Sequence, residues 1–142
     1  MRYCKQRDRY SCGAIALINI DKHFGQRATY KDLLWYQHLI DCTCPDGTYT
    51  RDISKVLGRA RRRTWARAKQ FLLSGNCIMV QNRRTRGHYY LMVTNGNGDI
   101  GIVNYCRHGH TATKITPQWA ARLLKRAHRT WYVSESITRG NP

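Results

Sequence analysis

The sequence predicts an α+β domain, and a change of pattern along the chain predicts it. The first half carries apolar positions at helical spacing, with helix starts and stops between them. From residue 77 the pattern becomes short runs of branched and aromatic residues around a glycine-rich turn, as antiparallel strands require. Helices first and strands after is the α+β layout. A chain of 142 residues has the size of one domain and can bury a core without staples. The expectation is a single domain over 1–142, with N-terminal helices packed on a small antiparallel sheet.

Residues 1–11 form a basic, extended lead-in. Residues 12–24 read as the first helix, with Ser11 as N-cap and Gly25 as stop. Residues 29–39 read as an aromatic-rich second helix, capped by Thr29 with Asp32 in its first turn. Pro45 and Gly47 punctuate a loop over 40–49, and Thr50–Leu57 begin a third helix with Ile53, Val56 and Leu57 on one face. Five arginines then crowd around Trp65: Arg59, Arg61, Arg62, Arg63 and Arg67. On a helix they would point all round the axis, so they make no clean stripe. Residues 69–73 read as a short amphipathic segment ending at Gly75.

Cys77–Gln81 is a short apolar strand, and residues 88–93 are a second. The run Asn95, Gly96, Asn97, Gly98, Asp99 is a strong hairpin signal, and residues 100–105 return from it. Thr116 caps a last helix over 118–127, with Pro117 at its first position. Residues 131–135 close the chain as a strand.

Chemistry concentrates first at Cys12. A thiol at a helix N-terminus meets the positive end of the dipole, which favours the thiolate. Gly13 removes bulk beside the sulfur. Gln6 offers an amide N–H to an oxyanion. A lone cysteine is more often inert and buried, so partners must support it. A thiol nucleophile needs a base and a group that orients the base. His88 opens the second strand. A hairpin turning near Gly96–Gly98 puts Asn104 nearly opposite His88, close enough to hold the imidazole.

Charge is the loudest bulk feature: 25 Lys+Arg against 8 Asp+Glu, formally +17. Such a field draws nucleic acid or acidic protein. Arg61, Arg62, Arg63, Arg67, Arg83, Arg84 and Arg86 are the candidate contacts. The first ten residues hold no apolar signal region and no run approaches a membrane span, so a cytoplasmic protein is expected. In that setting the six cysteines are expected as thiols. A zinc site from Cys42, Cys44, Cys106, His108 and His110 is the metal alternative. Its CxC spacing is a loose match, and no metal or other cofactor is expected.

The run Gln6, Asp8, Cys12-Gly13, Ala16-Leu17 resembles the N-terminal motif of the bacteriocin-leader-processing cysteine peptidases. These are papain-like domains of peptide-exporting ABC transporters, with standalone relatives. His88-Tyr89-Tyr90-Leu91-Met92-Val93 resembles the strand that the family's histidine opens, and Asn104 stands about where its third residue lies. Gly47-Thr48 before a helix, with Leu57 following, resembles the connecting segment. The family has Asp-Pro where this chain has Asn104-Tyr105, and the arginine-rich segment around Trp65 lies outside its pattern. The resemblance implies a papain-like fold and a cysteine peptidase acting on a peptide or protein. Cys12 would be nucleophile, His88 base, Asn104 orienter and Gln6 oxyanion donor. A small basic protease of this kind would suit a virus or phage, with association to the virion. Two other readings stand beside it: a basic nucleic-acid-binding module, and a catalytically inactive peptidase-like adaptor.

Overall fold

The computed structural model describes residues 2–44, 46–84, 88–105 and 111–137. Five helices and five strands follow one another: α1 (Cys12–His23), α2 (Leu33–Leu39), α3 (Thr50–Leu57), α4 (Trp65–Leu73), β1 (Cys77–Gln81), β2 (Tyr89–Thr94), β3 (Ile100–Val103), β4 (Thr113–Lys114), α5 (Pro117–Arg126) and β5 (Arg129–Val133). The strands make one antiparallel sheet in the order β4-β3-β2-β1-β5. The fold is α+β.

Strand alternation divides the core into two layers. Cys77, Met79, Tyr89, Leu91, Val93 and Trp131 face α1, whose Ile15, Leu17, Ile18 and Ile20 are fully buried. Ile78, Val80, Tyr90, Met92 and Ile102 face the other way, onto Ala68 and Leu72 of α4 and Ala120 and Leu124 of α5. Helices therefore cover both faces of the sheet, where the sequence suggested N-terminal helices against it. The reason lies in β1, β2 and β3, which carry buried residues on both faces and so need cover on both.

Several local expectations hold in modified form. The second helix splits into a 3-10 turn, Tyr30–Asp32, and α2, because Thr29 and Asp32 close a capping box: the Asp32 carboxylate accepts the Thr29 N–H at 2.9 Å. Helix α4 starts at Trp65, earlier than read, since Thr64 accepts the Arg67 N–H at 3.3 Å. Thr116 accepts the Trp119 N–H at 3.1 Å and Pro117 opens α5. The two-residue β4 was too short to announce itself.

Residues 59–64 leave α3 at Gly58, where φ is +86°, and run extended beside β5. The Arg61 N–H donates to the Thr130 carbonyl at 2.9 Å, and the Thr130 hydroxyl donates to the Arg61 carbonyl. The arginine-rich segment thus covers the outer edge of the sheet.

The lead-in is held on α1 by Asn19, which accepts the Cys4 N–H at 2.7 Å and donates to the Cys4 carbonyl at 3.1 Å. Arg7 lies over the Tyr30 ring at 4.0 Å. Among the described residues no helix is long and apolar enough to cross a membrane.

Candidate active site

Three elements converge at one end of the sheet: the start of α1, the start of β2 and the end of β3. Cys12 is the first residue of α1 and is 3% exposed. Its sulfur accepts hydrogen bonds from the backbone N–H groups of Gly13 and Tyr89. Tyr89 follows His88, so the backbone beside the imidazole touches the thiol. The Tyr89 hydroxyl donates to the Thr48 carbonyl at 2.9 Å, which ties this point of β2 to the loop before α3.

His88 Nε2 lies 2.9 Å from the Asn104 carbonyl oxygen. A carbonyl only accepts, so Nε2 carries the proton. In the neutral ring Nδ1 is then the bare nitrogen. The ring stacks on Tyr90 at 6.3 Å and 22°. Asn104 has φ +63°, a left-handed conformation that asparagine tolerates better than most side chains. That turn of the backbone is what aims its carbonyl at His88.

The register Leu91↔Val103 sets Asn104 across from Tyr90, two residues beyond His88. The Asn104 side chain goes elsewhere: its Nδ2 donates to Gln6 Oε1 at 2.9 Å. The sequence gives Asn104 the task of orienting the ring without naming the atom; here its backbone carbonyl faces the ring and its carboxamide holds Gln6. Gln6 Nε2 donates to the Asp8 carbonyl at 2.6 Å, which engages one of its two hydrogens.

Asp8 organises the approach to α1. Its carboxylate accepts from the Tyr10 N–H at 3.0 Å, the Ser11 N–H at 2.7 Å and the Ser11 hydroxyl at 2.7 Å. Ser11 stands at the N-cap but makes no side-chain cap; its oxygen instead accepts from Gln37 of α2 at 2.8 Å. Asp8 was visible in the sequence only as part of a motif. An acidic residue three before a serine at a helix start was the available sign of its role. Gly13 also differs from its expected use. A Cβ there would meet Ile40 at 3.2 Å, Thr48 at 3.4 Å and Ile53 at 3.5 Å, so its smallness seats Ile40, at the end of α2, against α1.

Electrostatics corrects one further expectation. Burial pushes the Cys12 thiol from an ordinary value of 9.0 up to about 11, outweighing the backbone N–H groups that favour the thiolate. Burial also lowers the His88 pKa, against backbone hydrogen bonds at Asn104 and Tyr105 that raise it. Near neutral pH the resting pair is thiol and neutral imidazole. A helix N-terminus alone does not ionise a thiol sealed from water.

The arginines separate into two groups. Arg62 Nη1 reaches the carbonyls of Leu124 at 3.4 Å and Lys125 at 3.2 Å, and its Nη2 donates to Ala127, all at the C-terminal end of α5. Arg63 sits over Tyr132 at 4.4 Å and Phe71 at 5.2 Å. Arg61, Arg62, Arg63 and Arg67 are all exposed residues, so Arg62 and Arg63 make these contacts at the surface. Arg83 and Arg84 stand exposed just before the β2 end of the site, where the Asn82 N–H donates to the His88 carbonyl at 2.9 Å. Arg86 lies outside the described residues, as do Cys106, His108 and His110 of the metal alternative. Among the described residues no group of three His, Cys, Asp or Glu side chains could hold a metal ion. Cys4, Cys42, Cys44 and Cys77 are free thiols.

Comparison with solved structures supplies a relative in shape. The peptidase domain of Streptococcus ComA, a bifunctional ABC transporter involved in a quorum-sensing pathway, matches with a TM-score of 0.56 and 19% identity. The match covers 94% of this chain and 98% of that one. The chain shares the overall fold of that domain. No protein-family model matches the sequence, and no curated protein does. At this identity the likeness is one of fold, the α+β arrangement of a papain-like domain.

Proposed function

We propose that this protein is a cysteine peptidase that cleaves a peptide or protein substrate. One observation carries the reading: in a peptidase fold, the thiol that opens α1 is hydrogen-bonded by the backbone N–H next to His88, and the imidazole is anchored through Nε2. His88 Nδ1 takes the Cys12 proton as the sulfur bonds to the substrate carbonyl carbon. The carbonyl electrons move onto oxygen, where the Cys12 N–H and the second Gln6 Nε2 hydrogen stabilise them. Collapse breaks the C–N bond, and His88 gives its proton to the leaving amine. Water, deprotonated by His88, then releases the acyl group and restores the thiol. Neutral resting partners make this general-base catalysis rather than attack by a standing thiolate. Catalytic contacts of this kind commonly tighten only when substrate binds.

The test is modification by a peptidyl epoxide with mapping of the labelled cysteine. Cys12 reacts selectively, and His88→Ala slows it by about a hundredfold or more, the scale of one general base. Labelling spread over the accessible thiols, Cys44 foremost, with Cys12 untouched, removes the peptidase reading. It would favour the inactive adaptor, for which the buried, strongly protonated thiol is the supporting observation.

A further inference from the structure

A groove of about 500 Å³ lies between residues 82–84 and α5. Its walls carry Arg83 and Arg84 on one side and Arg126 on the other, and its floor is Tyr90, Tyr105 and Trp119. Among the described residues that line it there is no Asp or Glu. Tyr90 belongs to both the groove and the candidate active site, since the His88 ring stacks on it, and Tyr105 makes a backbone hydrogen bond with His88.

We propose that the groove is a substrate subsite for an acidic peptide segment, in which the arginines take carboxylates and the aromatic floor takes an apolar or aromatic side chain between them. This rests on the peptidase reading for what passes His88, but its chemistry is that of the groove alone. Arginine forks suit carboxylates. Single-stranded nucleic acid suits the walls but not the floor. Tyr90 meets Tyr105 edge-on at 4.9 Å and 83°, and Tyr105 meets Trp119 at 6.3 Å and 86°. Neighbouring rings meet edge to face, and Tyr90 is buried while Trp119 is exposed, so the floor is not a set of open parallel faces for successive bases.

The experiment measures binding apart from turnover, by fluorescence anisotropy on the full-length Cys12→Ser chain at physiological ionic strength. The probes are a labelled oligoglutamate with a central tyrosine, its oligoglutamine counterpart, and an oligothymidylate of equal length. The oligoglutamate binds more tightly than either. Arg84→Glu with Arg126→Glu weakens it by about tenfold or more, since two attractions become repulsions. Arg84→Gln with Arg126→Gln weakens it by a smaller factor and stands in should the reversed pair fail to fold. Arg27→Glu with Lys31→Glu makes the same charge change on the α1 side of the sheet and alters binding less than about twofold, because salt screens beyond roughly 8 Å. An equal loss from that distant pair reduces the groove to a diffuse field and overturns the proposal. Tighter binding of oligothymidylate, lost with the groove arginines, overturns it in favour of nucleic acid. Groove-dependent oligoglutamate binding in a chain whose wild-type Cys12 ignores the epoxide supports the groove and removes only the peptidase reading.

Discussion

Two stretches of this chain look alike as sequence and do different work as structure. Arg61, Arg62 and Arg63 form the densest positive run, and Arg83 with Arg84 form a second. In the first, the segment lies along β5, Arg62 closes the C-terminal end of α5, and Arg63 covers two aromatic rings. In the second, the arginines line an open groove that shares Tyr90 with the candidate active site. Charge density in a sequence says that a field exists; it does not say whether the guanidinium groups are already engaged within the fold. What decides is the partner within reach, carbonyls at a helix end in one case and a groove without carboxylates among its described lining residues in the other.

The sharpest way to strain the comparison is pH, because it acts on the site side and leaves arginine charged. Burial raises Cys12 to about 11, Tyr3 to about 12 and Tyr89 to about 12, and pushes Cys77 up as well. All four lie in the α1-facing layer. Above pH 9 the unfolded chain loses these protons while the folded one keeps them, so stability falls as pH rises. Cys12 alone can contribute about 2 kcal/mol to that loss by pH 11. The check is a Tm series from pH 7 to about 11 on the native chain and on Cys12→Ser, which should lose less. The opposite sign applies to His88: its pKa is lowered, so stability also falls as pH drops through the ordinary histidine range.

Arg62→Ala comes next in size. It leaves the last carbonyls of α5 without their charged donor, a loss of about 2 kcal/mol. Arg84→Ala, which removes no intramolecular side-chain partner among those described, should stay within about 0.5 kcal/mol. Denaturant midpoints compare the two directly. Equal destabilisation would erase the distinction between structural and surface arginines.

The order of elements, the caps at Thr29, Thr116 and Pro117, the hairpin at 95–99 and the strand Cys77–Gln81 were legible because each depends on neighbours in sequence. The edge cover by 59–64 was not, since it requires knowing that β5 lies beside β1 with an open outer edge. Nor was the double layering of helices, which follows from sheet register. At the site, Cys12, His88, Asn104 and Gln6 could be named from spacing and resemblance, and the structure brings them to one end of the sheet. Which atom of Asn104 faces His88 could not be named, because it hangs on one left-handed residue. The rise in the Cys12 pKa was equally hidden: helix position is readable in a sequence, whereas burial depth is not.

Asn104 offers a smaller, two-part test of the site side. Asn104→Gly keeps the left-handed backbone, and with it the carbonyl that holds His88, but frees Gln6. Asn104→Ala frees Gln6 and also strains the backbone, at about 1 kcal/mol. Epoxide labelling of Cys12 should slow in both, and more in the alanine variant. Only the alanine variant should lower the Tm by the strain cost. If the two variants slow labelling equally, the carboxamide that both remove, and not the backbone carbonyl, governs the site.

The smallest expected effect tests the strap itself. Arg63 lies over Tyr132 and Phe71, which meet each other edge-on at 5.3 Å and 72°. Arg63→Gln removes the cation while keeping most of the stem, so its cost isolates the ring attraction at about 0.5–1 kcal/mol. Arg63→Lys retains charge but not the planar stack and should recover only part of it. Binding of oligothymidylate to these variants gives the decisive contrast. A guanidinium held on two rings is a poor phosphate ligand, so affinity should change little even as stability falls. A steep loss of nucleic-acid affinity without a loss of stability would mean that Arg63 leaves its rings to meet a partner, and the strap would then belong with the groove as a binding surface.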